Sequence, residues 1–403
     1  MTLRLRLPVM GDCLVTGDPT LVAEITKNRD LIGGRGTEAL RPVVGQHSLI
    51  AIEGERHQAH RKALLPHFFY GDLSRYDTLT RKWACQALQE ISQGQTFEGS
   101  RLVSTITLNA MVEILFGALN TEQHQAMVSH IQTWLASFRN PAVLFLKPLH
   151  VNLGAWSGWG RFLINREKVH TFIREQMTRK AAHAVDGGVL GALLRARMAG
   201  DHALTDDEII SETVTFLLFG HDTSAEAMGW VFHHLWNHAD ALAAVQNEVS
   251  TLTNAHAEVL PENLPLLQSA IQESLRLCPV VVHLTRHATA NTAVGEHVVH
   301  AGTRVLPCQY LAHRNPAVFE QATQYQPTRF LNPKPEWRHA YFPFGLGQRL
   351  CAGMPMAQRQ MTLIAATLLT HSQMETVEPE KVRPVRKMVL IVPSGGPTLR
   401  RVR

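Results

Sequence analysis

The chain has 403 residues, 45% apolar and 18% charged, with a net charge of +5 at pH 7 and a pI near 9.0. Such a composition suits a large buried core better than a solvating tail. The positive excess is spread along the chain without a Lys/Arg block, so no nucleic-acid partner is expected. Cys13, Cys85, Cys278, Cys308 and Cys351 are odd in number, far apart and without a C-x-x-C pair. They support neither a disulfide framework nor a zinc site. No apolar run reaches the roughly 18 residues needed to cross a bilayer, and the opening Met1–Arg6 has no apolar signal core. With no Gly/Ser-rich or charged linker, one domain over 1–403, cytoplasmic and without a membrane anchor, is the expectation.

In chain order, weak alternation over 3–15 predicts a strand, and Asp18-Pro19 starts a short helix to about Lys27. Gly33-Gly34-Arg35-Gly36 reads as a loop. A helical pattern opens at Gly54, where His57 and Arg61 stand at i, i+4 and can clamp an anion. Residues 72–139 and 160–199 read as amphipathic helix, with breaks at Asn140-Pro141 and around Trp156-Ser157-Gly158-Trp159-Gly160. Thr205-Asp206-Asp207-Glu208 is a capping box, with Leu204 and Ile209 placed as a hydrophobic staple. The helix it starts is predicted to run to about His238, roughly 50 Å. Within it, Phe219-Gly220-His221-Asp222-Thr223-Ser224 joins weak helix formers to an apolar flank, as at a bend that opens a groove.

His234 and His238 are spaced like zinc ligands but lack the glutamate of H-E-x-x-H, and read as structural. Another helix spans 262–277, ended by Cys278-Pro279, with Glu273 and Arg276 at i, i+3. Alternation in 293–307 and near 384–402 predicts a small sheet.

The most informative stretch is Phe344-Gly345-Leu346-Gly347-Gln348-Arg349-Leu350-Cys351-Ala352-Gly353. Pro343 and the glycines break regular structure, and Met354–Leu369 reads as helix. A cysteine between such a loop and a helix start lies where amides and the helix dipole favour a thiolate. That thiolate can attack a substrate, join a zinc cluster or ligate haem iron. The spacing of Phe344, Gly347, Arg349, Cys351 and Gly353 resembles the haem-binding loop of the cytochrome P-450 superfamily, the haem-thiolate monooxygenases.

The resemblance extends over nearly the whole chain and implies a mainly helical fold with a minor β region (about 1–30, 281–310 and 384–403). In that fold a long central helix crosses the haem, and residues 140–160 form a lid over the substrate channel. Cys351 is then the metal ligand to haem b (iron protoporphyrin IX). Phe344 and Gly353 lie against the macrocycle, and His57, Arg61, Arg286 and Arg349 match propionate ligands. Gly220, Asp222, Thr223 and Ser224 match the oxygen-activating motif, in which Thr223 hydrogen-bonds the activated oxygen and Asp222 relays protons. Phe219 departs from the small residue usual there. It either crowds the pocket or is swung aside by a rotated helix. Val280 to Leu284, with Val281, Val282 and Leu284 in the pocket, passes beside the haem. Glu273, Arg276 and Arg329 of Pro327-Thr328-Arg329-Phe330 match a structural network.

The expected activity is insertion of one atom of dioxygen into a small apolar substrate. Electrons come from a ferredoxin- or flavodoxin-like donor with its reductase, which docks on basic residues (Arg349, Arg359, Arg61-Lys62). The alternatives are a haem-thiolate peroxygenase, isomerase or dehydratase that needs no external electrons, and a non-catalytic haem or ligand-binding protein. Retention of Asp222 and Thr223 favours the monooxygenase.

Overall fold

A computed structural model describes residues 1–7, 11–33, 40–69, 73–138, 140, 142–182, 188–198, 204–255 and 258–403. The expected glycine-rich loop from Gly34 to Gly36, Pro141, and residues 183–187 and 199 of the expected 160–199 helix lie outside them. The chain is mainly helical with small sheets. Its contacts divide it into two compact units, one of Met1–Arg35, Thr80–Ile106 and Thr223–Arg403, the other of Gly36–Leu79 and Thr107–Asp222.

In the first unit a five-stranded sheet has the order Thr2–Leu7, Gly11–Thr16, Arg304–Pro307, Arg286–Ala288, Leu31–Ile32. The strand expected over 3–15 is thus a pair of antiparallel strands, Thr2 opposite Thr16 and Leu7 opposite Gly11. Gly11 takes a positive φ of 72° where the second strand begins. Gly11–Thr16 then runs parallel to Arg304–Pro307, with Cys13 opposite Arg304. The next helix, Pro19–Lys27, has proline in its first turn, and Asp18 Oδ1 accepts from the amides of Thr20 and Leu21. Proline costs nothing there because that amide has no intrahelical partner.

The helices Asp222–Leu235, Ala239–Asn254, Pro265–Leu277 and Met354–His371 contribute to the main apolar core, through Met228, Phe232, Val245, Ile271 and Ile364 among others. A three-stranded sheet (Thr96–Glu98, Thr398–Arg401, Met374–Val377) and a hairpin (Pro384–Lys387 with Leu390–Pro393) complete this unit. Trp230 Nε1 donates to the Ile391 carbonyl at 3.2 Å and holds the hairpin on the core.

The second unit is helical. The run expected as helix over 72–139, whose part Thr80–Ile106 belongs to the first unit, resolves into Asp77–Gln89, Gly99–Phe116 and Thr121–Ser137, with the short strand Thr96–Glu98 inserted. Helices Thr121–Ser137 and Gly158–Ala182 pack together, with Trp134, Phe138 and Phe162 as an aromatic cluster. The capping box forms as read: Thr205 Oγ1 accepts from the Glu208 amide, and the Glu208 carboxylate accepts from the Thr205 amide at 2.8 Å. The helix it opens is shorter than expected, ending at Phe219, and a second begins at Asp222 and ends at Leu235.

Candidate active site

Cys351 owes its position to conformations that few residues tolerate. Gly345 and Gly347 take φ of 81° and 65°. A Cβ at Gly347 would come within 2.7 Å of Thr26 Cγ2, so no side chain fits. These turns lead through the 3₁₀ turn Gly347–Arg349 to Cys351, whose amide donates to the Phe344 carbonyl at 2.9 Å. Gly353 caps Met354–His371, and a Cβ there would meet nothing within 4 Å. The cysteine is exposed three residues before that helix, and the ground over Gly353 is open.

The root of the loop is clamped. Gln309 Nε2 donates to the Phe342 carbonyl at 2.6 Å, and the Phe342 amide donates to His313 Nε2 at 2.9 Å. A nitrogen that accepts must be unprotonated, and complete burial pushes the His313 pKa down to about 3. Phe344 packs against the main core together with Val281.

Two guanidinium groups converge on Gly33. A Cβ on Gly33 would lie 3.1 Å from Arg349 Nε and 3.4 Å from Arg286 Nη1. Arg349 Nη2 donates to the Gly33 carbonyl at 2.9 Å. Arg286 is buried and donates to the carbonyls of Thr285 and Leu346, and burial alone lowers its pKa. Two buried or half-buried cations gathered against backbone carbonyls make a place that favours an anion.

Glu273, Arg276 and Arg329 form a buried network. Arg276 is bidentate on the Glu273 carboxylate at 2.7 and 2.8 Å, and Arg329 Nε donates to both its oxygens at 3.1 Å. The remaining Arg276 protons go to the carbonyls of His313, Ala322 and Gln324. The His313 that supports the cysteine loop is therefore itself held by this network.

The break between the helices ending at Phe219 and starting at Asp222 has a local cause. A Cβ on Gly220 would fall 2.4 Å from the Phe216 carbonyl oxygen and 2.6 Å from Met111 Cε. The next residue, His221, is buried, and its Nδ1 lies 2.5 Å from the Leu217 carbonyl. Phe219 ends one helix and Asp222 and Thr223 open the next, all three half-buried. Ahead of the cysteine loop in sequence, Val280–Leu284 is strung between backbone partners. Ile391 donates to the Val280 carbonyl, and the Leu284 amide donates to Pro307. Val281, Val282 and Leu284 are half-buried, and Leu284 Cδ2 would lie 3.5 Å from a Cβ on Gly345.

In the second unit His57 and Arg61 lie one turn apart on Gly54–Phe68, His57 buried and Arg61 half-buried. Beside them is a cluster that sequence reasoning did not find. His60 is buried, with Nδ1 2.6 Å from Glu212 and Nε2 3.2 Å from Glu208. Arg56 pairs with Glu208, whose pKa falls to about 2 because the arginine, threonine and histidine bonds outweigh burial. Burial raises that of Glu212. The available signal was the i, i+4 spacing of Glu208 and Glu212 on one helix and of Arg56 and His60 on another, but nothing in sequence pairs the two helices.

The sequence profile of the family described as Cytochrome P-450 matches residues 9–399. The chain belongs to the cytochrome P-450 family. Cytochrome P-450 138 from Mycobacterium tuberculosis is 29% identical over 390 residues, covering 96% of this chain and 85% of that protein. Among solved structures, the retinoic-acid-bound cyanobacterial CYP120A1 superposes with a TM-score of 0.85 at 20% identity, over 99% of this chain and 91% of that one. A zebrafish cytochrome P-450 solved with progesterone gives 0.82 at 19%, over 100% and 96%. These likenesses show the cytochrome P-450 fold, and membership makes the chain a haem-dependent monooxygenase that uses dioxygen, an apolar substrate and a redox partner.

The residues of this cytochrome P-450 fit a haem. The exposed sulfur stands before a helix N-terminus, the surface at Gly353 is open, and Arg286 and Arg349 gather positive charge where carboxylates would be neutralised. Among the described residues no single helix is long and apolar enough to cross a membrane.

Proposed function

We propose that this cytochrome P-450 binds haem b through the Cys351 thiolate and inserts one oxygen atom into a small apolar organic molecule. The reading rests on one observation above all. Cys351, whose amide donates to the Phe344 carbonyl, stands exposed three residues before Met354–His371, while Arg286 and Arg349 converge on Gly33. When bound, the haem supplies oxygen activation, and a thiolate ligand favours O–O cleavage. Phe344 and Gly353 give the macrocycle an apolar neighbour and room for close approach. Arg286 and Arg349 pair with its propionates, and the family pattern gives His57 and Arg61 the same role. The Glu273–Arg276–Arg329 network keeps the loop in place and takes no part in chemistry.

Proton delivery falls to Asp222 and Thr223. Asp222 takes protons from solvent and passes them on, and the Thr223 hydroxyl presents one to the reacting oxygen while accepting the next. The family pattern gives Phe219, and separately Val281, Val282 and Leu284, the role of keeping water from an apolar substrate. Phe219 sets the size limit of the substrate. The electron donor is a ferredoxin- or flavodoxin-like protein with its reductase, a choice supported by the net charge of +5, which attracts an acidic partner. The chain is a single catalytic domain, a reading supported by the family match over 9–399, and it works in the cytoplasm.

The test is the absorption spectrum of the reduced protein with carbon monoxide, for the wild type and Cys351→Ala. A strongly red-shifted band that disappears in the variant supports the assignment, and a histidine-like spectrum in the wild type refutes it. Product formed with peroxide but never with a reductase and ferredoxin would replace the monooxygenase by a peroxygenase.

A further inference from the structure

The five-stranded sheet of the first unit has an open edge. Thr2–Leu7 ends the strand order, and among the described residues only Gly11–Thr16 pairs with it. The Gly17 amide donates to the Met1 carbonyl at 3.1 Å, which sets the alternation of the ladder. Leu3, Leu5 and Leu7 therefore direct their amides and carbonyls to the neighbouring strand. Those of Thr2, Arg4 and Arg6 point to the open side, and no described residue bonds to them. Such a row of backbone groups is a template for another strand.

The side chains divide between two faces with the same period. Leu3 and Leu5 share one face and are both exposed. Thr2, Arg4 and Arg6 share the other: the Thr2 and Thr16 hydroxyls are 2.8 Å apart, Arg6 Nε is 3.8 Å from Asp12, and Arg4 Nη2 donates to the Val298 carbonyl. Arg4, Arg6 and Asp12 line a groove of about 710 Å³ together with His300 and Arg304. Three guanidinium groups against one carboxylate make its field positive. The Arg6–Asp12 pair is exposed at both ends and contributes little, so an incoming carboxylate readily replaces Asp12.

Charge selects the occupant. A second copy paired in full overlap across a two-fold axis would set Arg4 against Arg4, and like charges directly opposite are destabilising. Arginines on an edge thus guard against self-pairing, but they attract an acidic strand. Acidic residues two apart in an extended chain are about 7 Å from each other and fall beside Arg4 and Arg6, while the residue between them falls beside Leu5.

We propose that the strand Thr2–Leu7 docks an extended acidic segment of a partner protein, which adds to the sheet as an antiparallel strand. The segment alternates acidic with apolar residues. Its acids meet Arg4 and Arg6, its apolar side chains cover Leu3 and Leu5, and its backbone pairs with Thr2, Arg4 and Arg6.

The probe is a short fluorescein-labelled peptide alternating glutamate with valine, offered to the haem-loaded full chain. Its anisotropy is expected to rise at low salt, with affinity falling as salt is added. Three control peptides separate strand pairing from bare charge. One carries its glutamates in a single block, and one is N-methylated at the glutamates, whose amides face the edge. Both are expected to bind at least about tenfold more weakly, whereas N-methylation at the valines, whose amides face away, leaves binding as it was. Arg4→Glu/Arg6→Glu is expected to lose at least about tenfold in affinity, with haem spectrum and melting temperature unchanged. Arg6→Glu alone, which gives up only the exposed pair with Asp12, weakens binding in the same direction. The proposal is overturned if nothing binds at low salt, or if the block peptide, the glutamate-methylated peptide or the double variant binds like its reference. It is equally overturned if the wild type is a dimer that Arg4→Pro dissociates, since a second copy then occupies the edge.

Discussion

At the scale of single residues, the proposed chemistry separates into groups that hold and groups that move protons. Cys351 follows two positive-φ glycines, its amide donates to the Phe344 carbonyl and its carbonyl accepts from the Met354 amide, so backbone geometry sets its placement. Asp222 and Thr223 stand in the opening turn of a helix, both half-buried. On the role proposed for Thr223, removing its hydroxyl takes away a proton donor and leaves haem binding alone. Thr223→Ala is therefore expected to keep consuming reductant and dioxygen while product falls by about 10²-fold or more and hydrogen peroxide accumulates. Comparing oxygen uptake with product yield checks this. Equal coupling in the variant and the wild type would remove Thr223 from the mechanism.

At the scale of elements, the two helices Asp206–Phe219 and Asp222–Leu235 show how local and tertiary rules divide the work. The capping box was plain in sequence because its residues are three apart and bond to each other's backbone. Thr205→Ala removes the acceptor for the Glu208 amide and is expected to cost about 1 kcal/mol in urea unfolding. The break after Phe219 was half legible. Weak helix formers mark the region, but they do not fix the residue at which the helix breaks. In the fold the interruption lies at Gly220 and His221, where the Phe216 carbonyl and Met111 leave no room for a Cβ. Gly220→Ala is therefore expected to destabilise by about 1–3 kcal/mol despite alanine's better helix propensity. A stabilised variant would show that the steric argument fails.

At the scale of the whole molecule, buried polar groups tie distant sequence together. Glu273 and Arg276 are three apart, and on a surface such a pair would contribute only about 0.2–0.5 kcal/mol. Both are fully buried, joined by Arg329 and by carbonyls from three more residues. Glu273→Ala leaves two buried guanidiniums without their carboxylate and is expected to cost about 3–5 kcal/mol, with loss of retained haem. Chemical unfolding and the haem-to-protein absorbance ratio report the two effects separately.

Acid sensitivity belongs to this scale as well. The folded-state pKa of His313 is depressed to about 3, below the ordinary 6.5 of an unfolded chain. As pH falls below about 6.5 the unfolded chain takes a proton that the folded one refuses, so stability is lost down to about pH 3. At pH 5 that loss is on the order of 1–2 kcal/mol from His313 alone. His234, also at about 3, acts in the same direction. Glu208, held at about 2, adds its own loss only below about pH 4.5, where the unfolded carboxylate begins to protonate. Melting temperatures should drop from pH 7 to pH 5 in the wild type and less steeply in His313→Gln, from a lower starting value. Parallel slopes would exclude His313 as a source.

The sequence by itself determined whatever short-range chemistry specifies. The cysteine loop, the Asp18 and Thr205 caps, the mainly helical class and the pairing of Glu273 with Arg276 all depend on residues within one loop or one turn. Their steric and hydrogen-bonding demands are local, and they can be read without knowing the fold. Tertiary structure alone decided what residues far apart in sequence do together. It set Gln309 and His313 on the peptide of Phe342, and Arg286 beside Arg349 at Gly33. It also placed His60 between two glutamates of another helix, and left the apolar face around Trp156 outside the core. Helical periodicity says which side chains share a face. Which partner buries that face, or whether any does, depends on long-range packing that no local pattern encodes.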